Sequence, residues 1–172
     1  MTPPTTVYLV RHGNVHNPNK ILYGRLPRFR LSPRGLEEAR SAGRFLNGTN
    51  ISALYFSPLL RTRQTAQEIL TFHPELELRQ SRHLIEVLNA FEGRPSAEVD
   101  ARHGDVYTGV GTPYEQPQDI VERALKFFQF ARDRHARENV VAVTHGDVIV
   151  FAMLWARGLA LTQGGRARAG LR

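Results

Sequence analysis

The sequence contains no cysteine, so disulfide bridges and metal sites built from thiolates are excluded. It also lacks the basic stretch followed by a long apolar segment that is typical of a signal peptide. The longest apolar run, residues 148–156, has nine residues and is too short to cross a bilayer. These absences predict a cytoplasmic protein in a reducing compartment, with no membrane partner.

Lysine is almost absent, because 21 of the 23 basic residues are arginines and only Lys20 and Lys126 are lysines. The net charge of +7 would suit a nucleic-acid partner. The arginines, however, are spread along the chain among Asp and Glu residues and form no block of like charge. This pattern does not favour a nucleic-acid partner. It suits a small anionic substrate, which a basic surface attracts.

The length of 172 residues fits a single domain, residues 1–172, with a mobile tail from about residue 158. Strand-like and helical apolar patterns alternate along the chain. The strands are predicted at residues 7–10, 51–56, 76–78 and 140–144, and the helices at residues 33–46, 57–72, 118–137 and 147–156. Residues 86–117 are predicted as loops with a short helix. The alternation predicts an α/β protein, a three-layer α/β/α sandwich around a mainly parallel sheet.

Two of these strands end in the same pattern, a histidine followed by a glycine. The first strand leads into Arg-His-Gly at residues 11–13, and the last leads into His145-Gly146. Ligands of open α/β sheets bind beyond the carboxyl ends of the strands, where glycine lets the backbone turn sharply. The helix predicted to begin near Asp147 would direct its free N–H groups at the same crevice, which favours an anion.

Arginines accompany the two histidines. Arg11 directly precedes His12, and Arg61 follows the second strand in the first turn of the next helix. The guanidinium fork fits phosphate oxygens in pairs, which lysine cannot reproduce. Two histidines with two arginines predict a pocket for a dianionic phosphoryl group.

Three other interpretations of the histidines stay open at this point. Each histidine could be an ordinary polar residue that is satisfied at the end of a strand. A metal site could use both histidines and Asp147, but no third ligand stands out at a helical or hairpin spacing, and a cation would repel Arg11. A serine or cysteine hydrolase has little support, because cysteine is absent and no serine lies in a Gly-x-Ser-x-Gly motif.

The same residues resemble the motifs of the histidine phosphatase superfamily, which includes cofactor-dependent phosphoglycerate mutases and many phosphatases. Arg-His-Gly at residues 11–13 resembles the signature tripeptide, and Gly24-Arg25 with residues 31–35 resembles the stretch before the first helix. SPLLRTRQTA at residues 57–66 is similar to the second arginine motif, and VVAVTHGDVI at residues 140–149 to the second histidine motif. The matches span residues 7–156 and imply a phosphoglycerate mutase-like fold.

The resemblance implies a role for each matching residue. His12 would be the nucleophile that becomes phosphohistidine, and His145 would be a second catalytic residue that holds phosphoryl oxygens. The remaining phosphate-binding residues would be Arg11, Arg61 and Asn17. The resemblance implies no metal ion and no cofactor.

The resemblance also implies a carboxylic acid that protonates the leaving group, in the loop after the second arginine motif. Glu86 matches this position best, because an aromatic-Glu-Gly triplet follows it at residues 91–93. Burial near a phosphate would raise the pKa of Glu86 and keep the side chain protonated. Glu92 is the alternative donor.

Hydrolysis of a small phosphomonoester is the function that these features favour. Mutases of the superfamily carry long insertions that close over the site, whereas only about 25 residues separate Phe91 from Pro117. Phosphoglycerate mutase-type phosphoryl transfer is the first alternative, and a non-catalytic phosphate- or nucleic-acid-binding domain is the second. Residues 19–29 and 93–117 are expected to select the substrate.

Overall fold

The computed structural model describes residues 4–162 of the chain. Within that range the sheet has four parallel strands in the order β1-β4-β2-β3: β1 (Thr6–Arg11), β2 (Ile51–Phe56), β3 (Leu78–Gln80) and β4 (Asn139–Thr144). The helices are α1 (Pro33–Leu46), α2 (Leu60–Leu70), α3 (Ser96–Asp100), α4 (Pro117–Arg134) and α5 (Gly146–Ala156), with a 3₁₀ turn at Arg82–Leu84. No helix in this part of the chain is both long and apolar enough to span a membrane.

The helices cover both faces of the sheet. On one face, α1 and α2 pack over a cluster in which Ala66 and Ile69 contact side chains of the two central strands, among them Leu54, Phe56, Val141 and Val143. On the other face, α4 packs over the alternate strand positions, and α5 lies beside α4. Strands of a parallel sheet are apolar on both faces because both are buried. The predicted three-layer α/β/α sandwich is confirmed.

Hydrogen bonds that continue beyond the strands bring three chain segments together at the carboxyl edge of the sheet. The N–H of His12, just after β1, donates to the carbonyl of Thr144 at 3.0 Å. The N–H of Ser57, just after β2, donates to the carbonyl of Val143 at 3.0 Å. Because β4 lies between β1 and β2, His145 is placed between His12 and Ser57.

Three elements differ from the sequence prediction by two or more residues at a boundary. Helix α2 begins at Leu60 rather than Ser57, because the Ser57 backbone extends the pairing of β2 with β4. Strand β3 lies at Leu78–Gln80, two residues later than predicted, where Leu78 pairs with Leu54. Helix α4 ends at Arg134 rather than at residue 137, since His135 leaves the helical conformation with φ −128° and ψ 48°.

The chain beyond α5 includes the start of the segment predicted as a mobile tail from about residue 158. Leu159 and Leu161 pack against the core cluster that contains Phe151 and Leu154 of α5. Residues 163–172, the rest of the predicted tail, lie outside the described residues.

Candidate active site

The site lies where β1, β4 and β2 end side by side. The His12 and His145 rings have centroids 5.2 Å apart and meet edge to face. Gly13 lets the chain after His12 pass close to the start of α1, since a Cβ at Gly13 would overlap the backbone carbonyl of Gly35. The Gly13 N–H also donates to the Thr65 hydroxyl of α2 at 3.1 Å. The loop that carries His12 is therefore fixed by both α1 and α2.

His12 is buried and has a partner on each ring nitrogen. Nδ1 lies 2.8 Å from the Gly13 carbonyl oxygen, which accepts and so requires a proton on Nδ1. Nε2 accepts a hydrogen bond from Arg61 Nε at 3.2 Å and therefore carries the lone pair. Burial, together with the charges of His145 and Arg61, lowers the pKa of His12 to about 3. His12 is thus neutral at pH 7, with the lone pair of Nε2 directed into the site.

Arg61 is fully buried and contacts the other polar groups of the site. Its Nη2 donates to the Gly24 carbonyl at 2.8 Å and lies 3.2 Å from His145 Nδ1 and 3.5 Å from Glu86 Oε2. Its guanidinium carbon lies 4.8 Å from the centroid of the Tyr23 ring. Burial lowers the pKa of Arg61, but a guanidinium stays protonated in proteins. Arg61 therefore provides a fixed positive charge beside His12.

Glu86 lies against the positive charge of Arg61. The sequence predicts Glu86 in this site with a raised pKa, but in the structure the pKa of Glu86 is lowered. Oε2 lies 3.3 Å from His145 Nδ1 and 3.5 Å from Arg61 Nη2, and Oε1 accepts from the Val87 N–H at 2.9 Å. Burial by itself raises the pKa of Glu86, but the interactions with His145 and Arg61 outweigh burial and lower it. With these protein groups alone, Glu86 is ionised at neutral pH.

His145 is fully buried and has polar neighbours at both ring nitrogens. Nδ1 faces Glu86 and Arg61, and Nε2 lies 2.7 Å from the Ser57 hydroxyl. Burial lowers the pKa of His145, and the nearby Glu86 carboxylate only partly offsets this. A serine hydroxyl can donate or accept, so Ser57 can stabilise either neutral tautomer of His145.

The other residues predicted for the site lie around this cluster. The exposed Arg11 lies next to Gly146 and, together with His12, lines a cavity beside the site. The side chain of Asn17 exchanges hydrogen bonds with the backbone of Ile21, at 2.8 and 3.2 Å, and closes its own loop. The Glu92 carboxylate accepts from the Arg25 N–H at 2.5 Å. Asn17 thus bonds to Ile21 and Glu92 to Arg25, and none of these hydrogen bonds involves His12.

A cluster of ion pairs, formed by Arg25, Glu115 and Arg123, lies behind Glu86 and was not predicted from the sequence. Glu115 accepts from Arg25 Nη2 at 2.8 Å, from Arg123 Nε at 2.8 Å and from the Leu88 N–H at 2.9 Å. Arg25 Nε in turn donates to the backbone carbonyl of Glu86 at 2.7 Å. The cluster therefore holds the loop that presents the Glu86 carboxylate. Its members are far apart in the sequence, so no local pattern indicates them.

The structure also supplies the third ligand that the metal-site interpretation lacked. One ligand atom each of His12, Glu86 and His145 lies within 4.8 Å of the other two. Asp147 is not part of this group. The Arg61 guanidinium, however, contacts both histidines and Glu86, and its charge opposes a cation at this point. The arrangement is suited to a polyatomic anion.

The chain belongs to the histidine phosphatase superfamily (branch 1), whose sequence model matches residues 7–170. The uncharacterized protein Rv0525 of Mycobacterium tuberculosis is 39% identical over 152 residues, which cover 84% of this chain and 75% of that protein. The fructose-2,6-bisphosphatase TIGAR of Xenopus tropicalis is 31% identical over 133 residues, 71% of this chain and 48% of TIGAR. Members of this superfamily are phosphatases and mutases.

Solved structures agree with this assignment. YhfR of Bacillus stearothermophilus has a TM-score of 0.80 and 28% identity, over 91% of this chain and 82% of that one. The mycobacterial glucosyl-3-phosphoglycerate phosphatase Rv2419c has a TM-score of 0.74 at 21% identity, over 89% and 79% of the two chains, and so shares the fold. The predicted superfamily and its phosphoglycerate mutase-like fold are confirmed.

Acidification is expected to destabilise the protein progressively between pH 6.5 and about pH 3. The pKa of His12 is 6.5 in its ordinary state and about 3 in the folded protein. In this interval the unfolded chain binds a proton that the folded protein does not, so the free energy of unfolding falls as the pH falls. The lowered pKa of His145 acts in the same direction. Urea unfolding, followed by circular dichroism at several pH values, measures this slope.

The variant His12→Gln should show a shallower dependence of unfolding free energy on pH than the wild type, because one of the titrating groups is removed. His16→Gln removes an exposed histidine and is the control for the loss of an imidazole outside the site. Parallel slopes for wild type and His12→Gln would contradict the low pKa of His12.

Ser57→Ala is expected to lower the kcat of phosphoryl transfer about tenfold, which corresponds to ~1.4 kcal/mol of activation free energy. It should also reduce the free energy of unfolding by about 1–3 kcal/mol. The reason is that His145 Nε2, which is fully buried, would lose its hydroxyl partner. Ser41→Ala on α1 removes an exposed hydroxyl that bonds the Glu37 carbonyl and is the matched control. Steady-state kinetics and thermal unfolding of both variants test this positioning role. Wild-type kcat in Ser57→Ala would refute it.

Proposed function

We propose that the protein is a metal-independent phosphomonoesterase that works through a phosphohistidine on His12. The observation that best supports this is the state of His12. It is a neutral, buried imidazole whose Nδ1 is occupied by the Gly13 carbonyl and whose Nε2 faces Arg61 at 3.2 Å. An attacking nitrogen needs an available lone pair at the place where fixed positive charge stabilises the transferred group.

In the first step, the Arg61 Nε–H moves its hydrogen bond from His12 Nε2 to a phosphoryl oxygen, and the lone pair that is freed on Nε2 attacks the phosphorus of the substrate. The N–P bond forms as the P–O ester bond opposite it breaks, and the leaving alkoxide takes a proton from Glu86. Arg61, Arg11 and His145 donate hydrogen bonds to the three remaining phosphoryl oxygens, where negative charge is distributed in the transition state. The alcohol then leaves.

Glu86 must be protonated when the substrate is bound, although the protein groups alone keep it ionised. A phosphoryl dianion between Arg61 and His145 would pair with the guanidinium and add negative charge beside Glu86. Both effects raise the pKa of a carboxyl group. Glu86 is therefore the proposed donor, in preference to Glu92, which contacts the Arg25 backbone.

In the second step, water attacks the phosphohistidine. Glu86, now a carboxylate, takes a proton from the water as its oxygen bonds to phosphorus. The N–P bond breaks, and inorganic phosphate leaves His12 neutral, as at the start. Hydrolysis is favoured over mutase-type transfer because the segment between Phe91 and Pro117 is shorter than the insertions that close over the site in mutases, and its one helix, α3, has only five residues. Water can therefore reach the phosphohistidine.

The test is phosphate release from para-nitrophenyl phosphate in the presence of EDTA, and product analysis with phosphoglycerate. Undiminished release in EDTA, together with free glycerate as the product, is the expected result. Activity that returns only when a divalent cation is added would overturn the metal-independent mechanism. Isomerisation of phosphoglycerate without release of phosphate would establish the mutase alternative.

A further inference from the structure

Two arginines hold the loop that carries Glu86 by its backbone. Arg123 of α4 donates from Nη1 to the carbonyl of His83 in the 3₁₀ turn at 3.0 Å. Arg25 donates from Nε to the carbonyl of Glu86 itself at 2.7 Å. The guanidinium is a rigid planar fork of donors, so each arginine can bond a carbonyl with one nitrogen and a carboxylate with another. The loop is therefore restrained both before Glu86 and at Glu86.

Glu115 bonds both of these arginines and also the loop after Glu86. Its carboxylate accepts from Arg25 Nη2 at 2.8 Å and from Arg123 Nε at 2.8 Å. It accepts from the Leu88 N–H at 2.9 Å, and the Glu115 N–H donates to the Leu88 carbonyl at 2.9 Å. The Arg25, Glu115 and Arg123 side chains are only 24%, 17% and 12% exposed, so solvent screens their contacts less than those of surface pairs. Glu115 is the residue that all of these contacts share.

Glu115 also balances the charge around the proton donor. Arg25 and Arg123 bring two positive charges behind the Glu86 loop, and positive charge close to a carboxyl group favours its ionised form. The Glu115 carboxylate offsets one of these charges. Loss of the Glu115 charge would therefore oppose protonation of Glu86, in addition to releasing the loop. Both effects weaken the same step, which is proton donation to the leaving alcohol.

We propose that Glu115 is a positioning residue for the proton donor Glu86, and that it determines how well the protein cleaves esters whose leaving group must be protonated. It acts through Arg25 and Arg123, which hold the Glu86 loop. This role rests on the proposed phosphomonoesterase function, in which Glu86 is the donor. A stable anion such as para-nitrophenolate leaves with little help from an acid, whereas a strongly basic alkoxide needs a proton.

The first experiment compares kcat/KM for para-nitrophenyl phosphate and benzyl phosphate, two esters of similar size, in the wild type, Glu115→Gln and Glu122→Gln. This parameter reports the steps up to release of the alcohol, so hydrolysis of the phosphohistidine does not enter it. In Glu115→Gln, kcat/KM for benzyl phosphate should fall about a hundredfold, the loss that a displacement of about 1 Å can cause. The value for para-nitrophenyl phosphate should fall about threefold at most. Glu122 is an exposed residue of α4, and Glu122→Gln should match the wild type.

Combination with Glu86→Gln tests whether Glu115 acts through Glu86. Glu86→Gln should show the same selective loss on benzyl phosphate, and adding Glu115→Gln should lower kcat/KM by no more than about a further twofold, because the positioned group is already gone. Arg25→Lys keeps the charge but lacks the fork that bonds Glu86 and Glu115 together, and should also lose benzyl phosphate selectively. Wild-type values in Glu115→Gln, equal losses on the two esters, or additive losses in the double variant would overturn the proposal.

Hydrogen exchange at the Val87 amide separates this proposal from the proposed function. The Val87 N–H donates to Glu86 Oε1 at 2.9 Å, so its exchange rate, measured by NMR, reports the placement of the carboxylate without turnover. Exchange at least about tenfold faster in Glu115→Gln than in the wild type and Glu122→Gln would support the positioning role, even if the wild type hydrolyses neither ester and the proposed function fails. Unchanged exchange in both Glu115→Gln and Arg25→Lys would overturn the positioning role.

Discussion

His12→Ala is expected to lower phosphomonoester hydrolysis at least about a thousandfold, the scale of loss seen when a covalent nucleophile is removed. The geometry gives the reason. Nε2 of His12 carries the lone pair in the centre of the group formed by Arg61, His145 and Glu86. No other ring nitrogen at this site combines a lone pair with a hydrogen bond that fixes the opposite nitrogen to a backbone carbonyl. The measurement is kcat for para-nitrophenyl phosphate in EDTA.

Two controls accompany this prediction. His16→Ala replaces an exposed histidine four residues further along the chain and should keep wild-type kcat. Added imidazole can occupy the space that His12→Ala opens and should restore part of the activity, because it supplies the missing nucleophile. A His12→Ala protein that is folded and retains a tenth of the wild-type kcat would show that another group performs the attack.

Arg61→Lys is expected to lower kcat about a hundredfold or more, although it conserves the charge. The guanidinium donates from Nε to His12 and from Nη2 to Gly24, and faces His145 and Glu86 from the same nitrogen. A lysine ammonium is a single point on a flexible chain and cannot hold these positions together. Each fixed donor lost from a transition-state contact costs about 10²–10³ in kcat.

The matched control for Arg61→Lys is Arg63→Lys, two residues later in α2, where the side chain is exposed. It should change kcat less than about twofold, since surface substitutions rarely exceed ±0.5 kcal/mol. Thermal unfolding of both variants distinguishes lost catalysis from lost folding. If Arg61→Lys keeps kcat within about twofold of the wild type, the placement of Arg61 at the phosphoryl group is wrong.

The sequence predicted the site best where polar side chains directly follow a buried strand. His12 and His145 each follow an apolar strand and precede a glycine, and this local pattern places them at one edge of a parallel sheet. The two arginines near His12 were also indicated locally, Arg11 because it precedes His12 and Arg61 because it follows β2. The layers of the fold followed from strand and helix patterns for the same reason, because each pattern is contained in a short segment.

Other features depend on contacts between distant segments, and the sequence did not indicate them. Ser57 before Pro58 looks like a helix cap, but its hydroxyl bonds His145 and its backbone continues β2, so α2 begins later. The pKa of Glu86 is lowered rather than raised because Arg61 and His145 lie within 3.5 Å. These distances are set by the packing of three segments that are distant in the sequence: the start of α2, the junction of β4 with α5, and the loop that carries Glu86.

The segments expected to select the substrate stay a prediction. They are residues 19–29 and 93–117, chosen because loops usually carry such residues. The first segment contributes Tyr23 to the cavity beside His12, which residues of α1 also line, among them Arg34 and Glu38. Arg34 and Glu38 form an i,i+4 pair of the kind found on solvated helix surfaces. The contact of Glu38 with the Asn14 backbone is tertiary, so no local pattern indicates it.

The sharpest test of the phosphohistidine mechanism is the trapping of a phosphoryl group on His12. A rapid reaction with a good aryl phosphate substrate is stopped in alkali, where phosphohistidine survives, and the peptide that contains His12 is analysed by mass spectrometry. The expected result is phosphorylated His12 that forms and decays at least as fast as kcat. Turnover with unmodified His12 at every time point, or with the phosphoryl group on His145, would contradict it.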